Sequence, residues 1–273
     1  MRKIYNPILD DYVKLPDRID SIVSLDPATT EILFMIGSGN LVKAADAFSY
    51  RPPEAKSLPK IGSYTHVNFK MLEEISPDII FTTTGAQKEL TKELIKRGYS
   101  VYPISVVNSV SSILNNIIIV GEVVGKKEES RRLYAILLNE IAKMKCDNCT
   151  PIKAYVEFDL GGNITPGFPT HVSDALSIVG FKNIFDNRDE AYFIPEPEEI
   201  LKGEPQVIIY EPKRLREDEK ERFIKSLKER GLESLSIRKI FLTRGDFLAH
   251  MGPSFITEAM KWLKEVRISI GNS

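Results

Sequence analysis

The sequence predicts an α/β protein built as two Rossmann-like lobes, each a small, mainly parallel sheet with flanking helices, joined by one long rigid helix. Three observations point there: an internal strand–helix repeat, a second matching helix–strand unit in each half, and helical periodicity between the halves. The first copy of the repeat opens with Ile22-Val23-Ser24-Leu25 and continues into Thr30-Glu31-Ile32-Leu33-Phe34-Met35-Ile36-Gly37. The second opens with Ala154-Tyr155-Val156-Glu157-Phe158 and continues into Ser173-Asp174-Ala175-Leu176-Ser177-Ile178-Val179-Gly180. Each reads as strand, loop and helix. Thr30 or Ser173 is expected to cap its helix, the acid after it suits the positive N-terminus, and the glycine permits a left-handed stop.

The second unit is Glu73-Glu74-Ile75-Ser76-Pro77-Asp78-Ile79-Ile80-Phe81 in the first half. Its partner is Glu198-Glu199-Ile200-Leu201 followed by Pro205-Gln206-Val207-Ile208-Ile209-Tyr210. A short helix ends before a proline, and the run that follows is apolar throughout, as in a parallel strand covered on both faces. Between the halves, Val110, Ile113, Leu114, Ile117 and Ile118 repeat at helical spacing until Gly125, and Lys127 to Met144 resume the pattern. At 1.5 Å per residue the second stretch spans roughly 27 Å. Its composition is unlike that of a flexible linker. The expected division is an N-terminal lobe over 1–108, a helical segment over 109–150 and a C-terminal lobe over 151–273, forming a stiff clamp that opens little.

Composition narrows the function. The chain has 273 residues, 42% hydrophobic and 27% charged, with a formal net charge of -1. That balance is ordinary for a soluble globular protein, and the absence of a basic excess argues against a nucleic-acid partner. Met1-Arg2-Lys3-Ile4-Tyr5-Asn6-Pro7 lacks the roughly 7–15-residue apolar core of a secretory signal. Either a signal has been removed or the protein stays in the cytoplasm. Cys146-Asp147-Asn148-Cys149 follows a helical pattern, whereas a thioredoxin-like pair opens one. Idle thiols or a local disulfide are the expected reading, with a redox or metal role as the alternative.

These motifs carry a family resemblance. Arg18-Ile19-Asp20-Ser21-Ile22-Val23-Ser24-Leu25-Asp26-Pro27-Ala28-Thr29-Thr30-Glu31 resembles the N-lobe opening of helical-backbone (class III) substrate-binding proteins of ABC importers. That family delivers vitamin B12, ferric siderophores or haem. Arg51-Pro52-Pro53-Glu54-Ala55 with Ile61-Gly62 is similar to its first cleft loop. Asn68 to Ile80 is similar to its helix–Pro–Asp–strand signature, and Asn183-Ile184-Phe185, Glu198 to Leu201 and Gly252-Pro253 match in the second lobe. The resemblance spans about residues 15–268. It implies a ligand cleft between the lobes, no catalysis, no cofactor, an ABC permease as partner, an extracytoplasmic location and a monomer. It also implies an exposed docking glutamate on each lobe. Glu198 fits the second-lobe position, but Lys70 stands at the first, where Glu73 or Glu74 is expected to substitute.

Ligand contacts are expected from loops after the strands, the usual place for sites on open α/β sheets. In the first lobe the candidates are Phe48, Tyr50, Arg51, Tyr64, His66 and Thr83. In the second they are Phe158, Phe168, His171, Tyr192, Phe193, Arg244, Phe247 and His250. Aromatic side chains suit a bulky flat ligand, and Tyr64 and Phe247 stand where B12-binding relatives tend to place them. For each aromatic, core packing is the competing reading. The three histidines would need to converge with carboxylates to hold a metal directly, and a hydrogen-bonding or surface role is the plainer expectation. Arg51, Arg214 and Arg244 could grip a carboxylate-rich chelate, with Arg214 read as a solvated member of the charged run Lys213 to Arg230.

Two enzyme signals fail. Gly121-Glu122-Val123-Val124-Gly125-Lys126-Lys127 is one residue short of a phosphate loop and has no hydroxyl after the lysine. Gly37-Ser38-Gly39-Asn40 follows a helix instead of opening one. The expectation is a binder of a corrinoid, with a ferric siderophore and then haem as alternatives. A cytosolic α/β enzyme or metallochaperone-like protein reusing the fold is the reading of another class.

Overall fold

The structure, a computed structural model, describes residues 1–271. A hairpin of β1 (Arg2–Asn6) and β2 (Asp11–Leu15) precedes β3 (Ile22–Ser24), α1 (Pro27–Met35), β4 (Val42–Asp46), β5 (Lys60–Gly62), α2 (Phe69–Ile75), β6 (Ile79–Thr83), α3 (Lys88–Lys96) and β7 (Val101–Ile104). Helices α4 (Val110–Val123) and α5 (Lys127–Met144) come next. Then follow β8 (Ile152–Asp159), β9 (Asn163–Pro166), α6 (His171–Val179), β10 (Phe181–Asn183), β11 (Tyr192–Phe193), α7 (Pro197–Gly203), β12 (Val207–Glu211), α8 (Glu219–Glu229), β13 (Lys239–Leu242) and, after a π-helical turn, α9 (Lys261–Gly271).

The chain divides into two compact units. One holds Met1–Val106, Ile113–Leu138 and Met251–Pro253; the other holds Val107–Ser112, Asn139–His250 and the chain from Ser254 onward. Both α4 and α5 therefore contribute residues to each unit. Gly125 lies at φ +77° in the turn that separates them, a conformation costly for any residue with a Cβ.

The first unit carries a five-stranded parallel sheet ordered β5-β4-β3-β6-β7. In the second, β10, β8, β12 and β13 are neighbours in that order and parallel, so β4-β3-β6-β7 and β10-β8-β12-β13 share one topology. The second sheet adds an antiparallel edge of β9 and β11. Strands β6 and β12 are buried at every residue, which explains their unbroken apolar runs. Val23, Leu25, Ile80 and Leu94 anchor the first core, and Tyr155, Ile208, Phe223 and Leu227 the second.

The helix–proline–strand signature has a shared physical cause. Ser76 and Glu204 close α2 and α7 in left-handed conformations, at φ 46° and 50°. The residue after the next proline then exchanges bonds with the chain entering the central strand. Asp78 N donates to Ser21 O, and its carboxylate accepts from Asp20 N and Ser21 N at 2.8 and 2.9 Å. Gln206 N donates to Lys153 O, and its side chain accepts from Lys153 N at 2.9 Å. Register between β3 and β6, and between β8 and β12, is pinned by these residues.

The caps differ from expectation. Pro27 opens α1, so Asp26 is the cap, its carboxylate accepting from Thr29 N at 2.9 Å and Thr29 Oγ1 at 2.6 Å. Thr170, accepting from Ser173 N, caps α6. Thr30 and Ser173 instead tie their helices to neighbouring backbone at Asp26 O and Gly167 O. Asp174 serves another helix, accepting from Val110 N at 2.7 Å where α4 begins. The left-handed stops at Gly37 and Gly180 are present. Cys146 and Cys149 form a disulfide after α5.

Candidate ligand-binding site

In the first unit the candidate side chains gather around two acids at the carboxyl ends of β3 and β4. Asp46, the last residue of β4, is fully buried. Its Oδ1 accepts from Phe48 N at 2.6 Å and Ser49 N at 2.8 Å, while Oδ2 has no partner. Burial pushes its pKa up to about 6, and the charge of Asp26 adds to the effect against the opposing backbone donors. The turn so formed presents Phe48, 53% exposed, and then Tyr50 and Arg51, whose guanidinium lies 5.1 Å from the Tyr50 ring centre. Lys60 holds the turn from below, donating to Ser49 O and to Ala55 O.

Tyr64 is exposed, and its phenol is pushed up to about 12 by desolvation and by the charges of Asp26 and Asp46. Phe48, Tyr50, Arg51 and Tyr64 are thus brought to the strand ends of one sheet. His66 is exposed beside Thr65, its Nδ1 2.9 Å from Thr65 Oγ1. Thr83 is buried and spent internally: Oγ1 donates to Ile104 O at 3.2 Å, and its N–H donates to Gln87 Oε1 at 2.7 Å. Gln87 also donates to Leu25 O, binding the ends of β3 and β6 together. Sequence reasoning missed Gln87, since nothing in its pattern marks it as fully buried.

The second unit corrects several expectations. Phe158 is fully buried and packs edge-on to Tyr192 at 6.3 Å. Phe193 packs at 5.2 Å from Phe185, with Arg188 over its other side at 4.6 Å. His171 is fully buried under Phe255, with Nε2 3.0 Å from Leu248 O. Burial drags its pKa down to about 4. Phe158 and His171 therefore offer no surface to a ligand. Tyr192 is half-buried, and His250 is mostly buried.

Arg244, exposed, and Phe247, half-buried, share the loop after β13, and Phe247 meets Trp262 edge-on at 6.0 Å. Phe168 lies elsewhere in this unit, in a groove of about 630 Å³ lined also by Pro151, Pro169, Ser173 and Asp174. Arg214 lines a smaller concavity, of about 270 Å³, with Lys213, Arg216, Arg222, Asp159 and Glu219 at the ends of β8 and β12. Among the described residues, no three His, Cys, Asp or Glu side chains group to hold a metal ion. No helix there is long and apolar enough to cross a membrane.

The docking candidates are all exposed. Glu73 and Glu74 lie on α2 and Glu198 on α7, where Lys70 and Glu198 occupy the same second helical position.

The sequence pattern of the periplasmic binding protein family matches residues 22–234, most of the chain and every strand from β3 to β12. The chain belongs to that family. Among its relatives is a vitamin B12-binding protein of Photorhabdus laumondii, 25% identical over 191 residues and covering 69% of each chain. The crystal structure of the periplasmic vitamin B12 binding protein of Vibrio cholerae superposes with a TM-score of 0.72 at 21% identity, over 94% of this chain and all of that one. A periplasmic haem-binding protein from Roseiflexus sp. RS-1 gives 0.74 at 21% identity, over 92% and 97%. At these identities the structures speak for a shared fold: the paired parallel sheets of this chain are those of periplasmic binding proteins.

Proposed function

We propose that the chain is the substrate-binding protein of an ABC importer, working outside the cytoplasm and capturing a corrinoid without transforming it. The observation that carries this reading is the set of aromatic and guanidinium groups at the carboxyl ends of the parallel strands: Phe48, Tyr50, Arg51 and Tyr64 in one unit, Arg244 and Phe247 in the other. Aromatic faces give a flat macrocycle large contact area with few rotors to freeze. The vitamin B12 relatives support the same ligand class. Purified protein titrated with cyanocobalamin, followed by calorimetry and by the absorbance of the ligand, tests it. Micromolar or tighter binding without consumption of the ligand is expected; turnover would replace the binder reading with an enzyme.

A second reading, an anionic ferric chelate, is favoured by the concavity where Lys213, Arg214, Arg216 and Arg222 outnumber Asp159 and Glu219. Guanidinium forks match carboxylates bidentately, and such a ligand would use Arg214 and Arg216 directly. For delivery, Glu198 together with Glu73 or Glu74 is proposed to meet basic residues of the permease. Their exposure and the matching placement of α2 and α7 before β6 and β12 support this.

A further inference from the structure

We propose that Glu211, with His171 behind it, is a positioning residue that preforms the ligand loop of the second unit. Glu211 closes β12 and is 2% exposed. It is spent on the loop after the neighbouring strand, β13. Oε2 accepts from Thr243 Oγ1 at 3.0 Å and from Leu248 N at 2.5 Å, and Oε1 accepts from Ala249 N at 2.9 Å. His171, from α6, meets the other side of the same peptide segment through Nε2 and Leu248 O. A carbonyl only accepts, so Nε2 carries the proton and Nδ1 is the bare nitrogen; Nδ1 has no partner. Leu248 is thus held by both its N–H and its C=O, and its side chain is fully buried. The segment so fixed carries exposed Arg244, half-buried Phe247 and, at its end, His250.

Only the ionised carboxylate, the form reached above its titration near pH 7, accepts all three donors. Three donors converge on two oxygens that present only lone pairs. Glutamine has the same shape but turns an N–H₂ toward an N–H or O–H, leaving at least one buried donor without an acceptor. Asp46 performs a smaller version of the task in the first unit, accepting from Phe48 N and Ser49 N in the turn that carries Phe48, Tyr50 and Arg51. Each unit therefore ends a parallel strand in a buried acid that folds a candidate ligand loop. A loop held in its bound shape has less freedom to lose on binding. The inference rests on the reading that the segment from Arg244 to His250 meets the ligand.

The test compares wild type with Glu211→Gln by hydrogen exchange over residues 243–250, by the Leu248 and Ala249 amide resonances, and by cyanocobalamin titration. In wild type these two resonances should follow one titration near pH 7, where burial places the Glu211 carboxyl. Asp246 and His250 are the other titratable groups on the loop. In Glu211→Gln that shared titration should vanish, and exchange over 243–250 should rise about tenfold while β3 to β7 are unchanged. Cobalamin affinity should weaken about tenfold. If Glu211→Gln does not fold, Thr243→Val, which removes one of the three donors, should loosen the same segment to a lesser degree. Unchanged exchange with no shared titration would overturn the proposal, and so would a loosened loop with unaltered cobalamin binding. Loosening in a protein whose wild type ignores cobalamin would uphold the positioning role and reject the corrinoid.

Discussion

Three buried groups, His171 at the start of α6 and Glu211 and Asp46 at strand ends, make opposite demands on pH. His171 has a folded-state pKa of about 4 against an ordinary 6.5, so the folded protein binds that proton less readily than the unfolded chain. Its contribution is fully present above pH 6.5 and is lost as pH falls through 4, about 3 kcal/mol in all. Glu211 and Asp46 are raised to about 7 and about 6, so their contributions are full near pH 4 and are lost as pH rises through those values. Urea denaturation of wild type and His171→Phe at pH 8 and pH 4 checks the histidine: the stability difference should shrink by about 3 kcal/mol at the lower pH. A constant difference would mean that His171 does not titrate in this range. Its role was not legible in the sequence, because the burial depends on the Leu248 carbonyl 77 residues away. Phe48 and Tyr64 were legible as exposed aromatics after strands; Phe158 looked the same but lies one residue inside the end of β8.

At the level of elements, the strands most legible in the sequence are those buried on both faces. Strands β3, β6 and β12 open on unbroken apolar runs because helices cover them, and Ala154 to Val156 form the same kind of run within β8. The β1–β2 hairpin has no such signal: Lys3 and Tyr5 of β1 are exposed, and its five residues carry little apolar pattern. The β9–β11 edge is shorter still, two residues in β11. Motif order was legible, whereas cap position was not, because Pro27 moves the start of α1 ahead of the periodic residues. The strand-entry residues make an element-level prediction. Asp78→Ala leaves the Asp20 and Ser21 N–H groups without their acceptor and should cost about 1–2 kcal/mol in urea denaturation. Gln206→Ala, which loses one such bond, should cost about 1 kcal/mol. Equal and negligible effects would show that register is set by the apolar pattern alone.

For the molecule as a whole, the repeat predicts that delivery engages matched helices. Glu198→Lys reverses charge at the exposed second position of α7, far from the cores in chemical character, so folding and ligand affinity should be unaffected. Uptake in vesicles reconstituted with the cognate permease and ATPase should fall at least tenfold, the loss expected from reversing one close charge pair. Uptake at the wild-type rate would remove Glu198 from the docking surface. The central claim, that aromatic loops at the strand ends capture a corrinoid, meets its most direct test in one competition series. Purified protein is titrated by calorimetry with cyanocobalamin, haemin and ferric citrate, in wild type and in Tyr64→Ala and Phe247→Ala. Micromolar or tighter cobalamin binding that weakens about tenfold or more in each variant is the predicted result; tight binding of ferric citrate with none of cobalamin, or variants that bind cobalamin as wild type does, would contradict it.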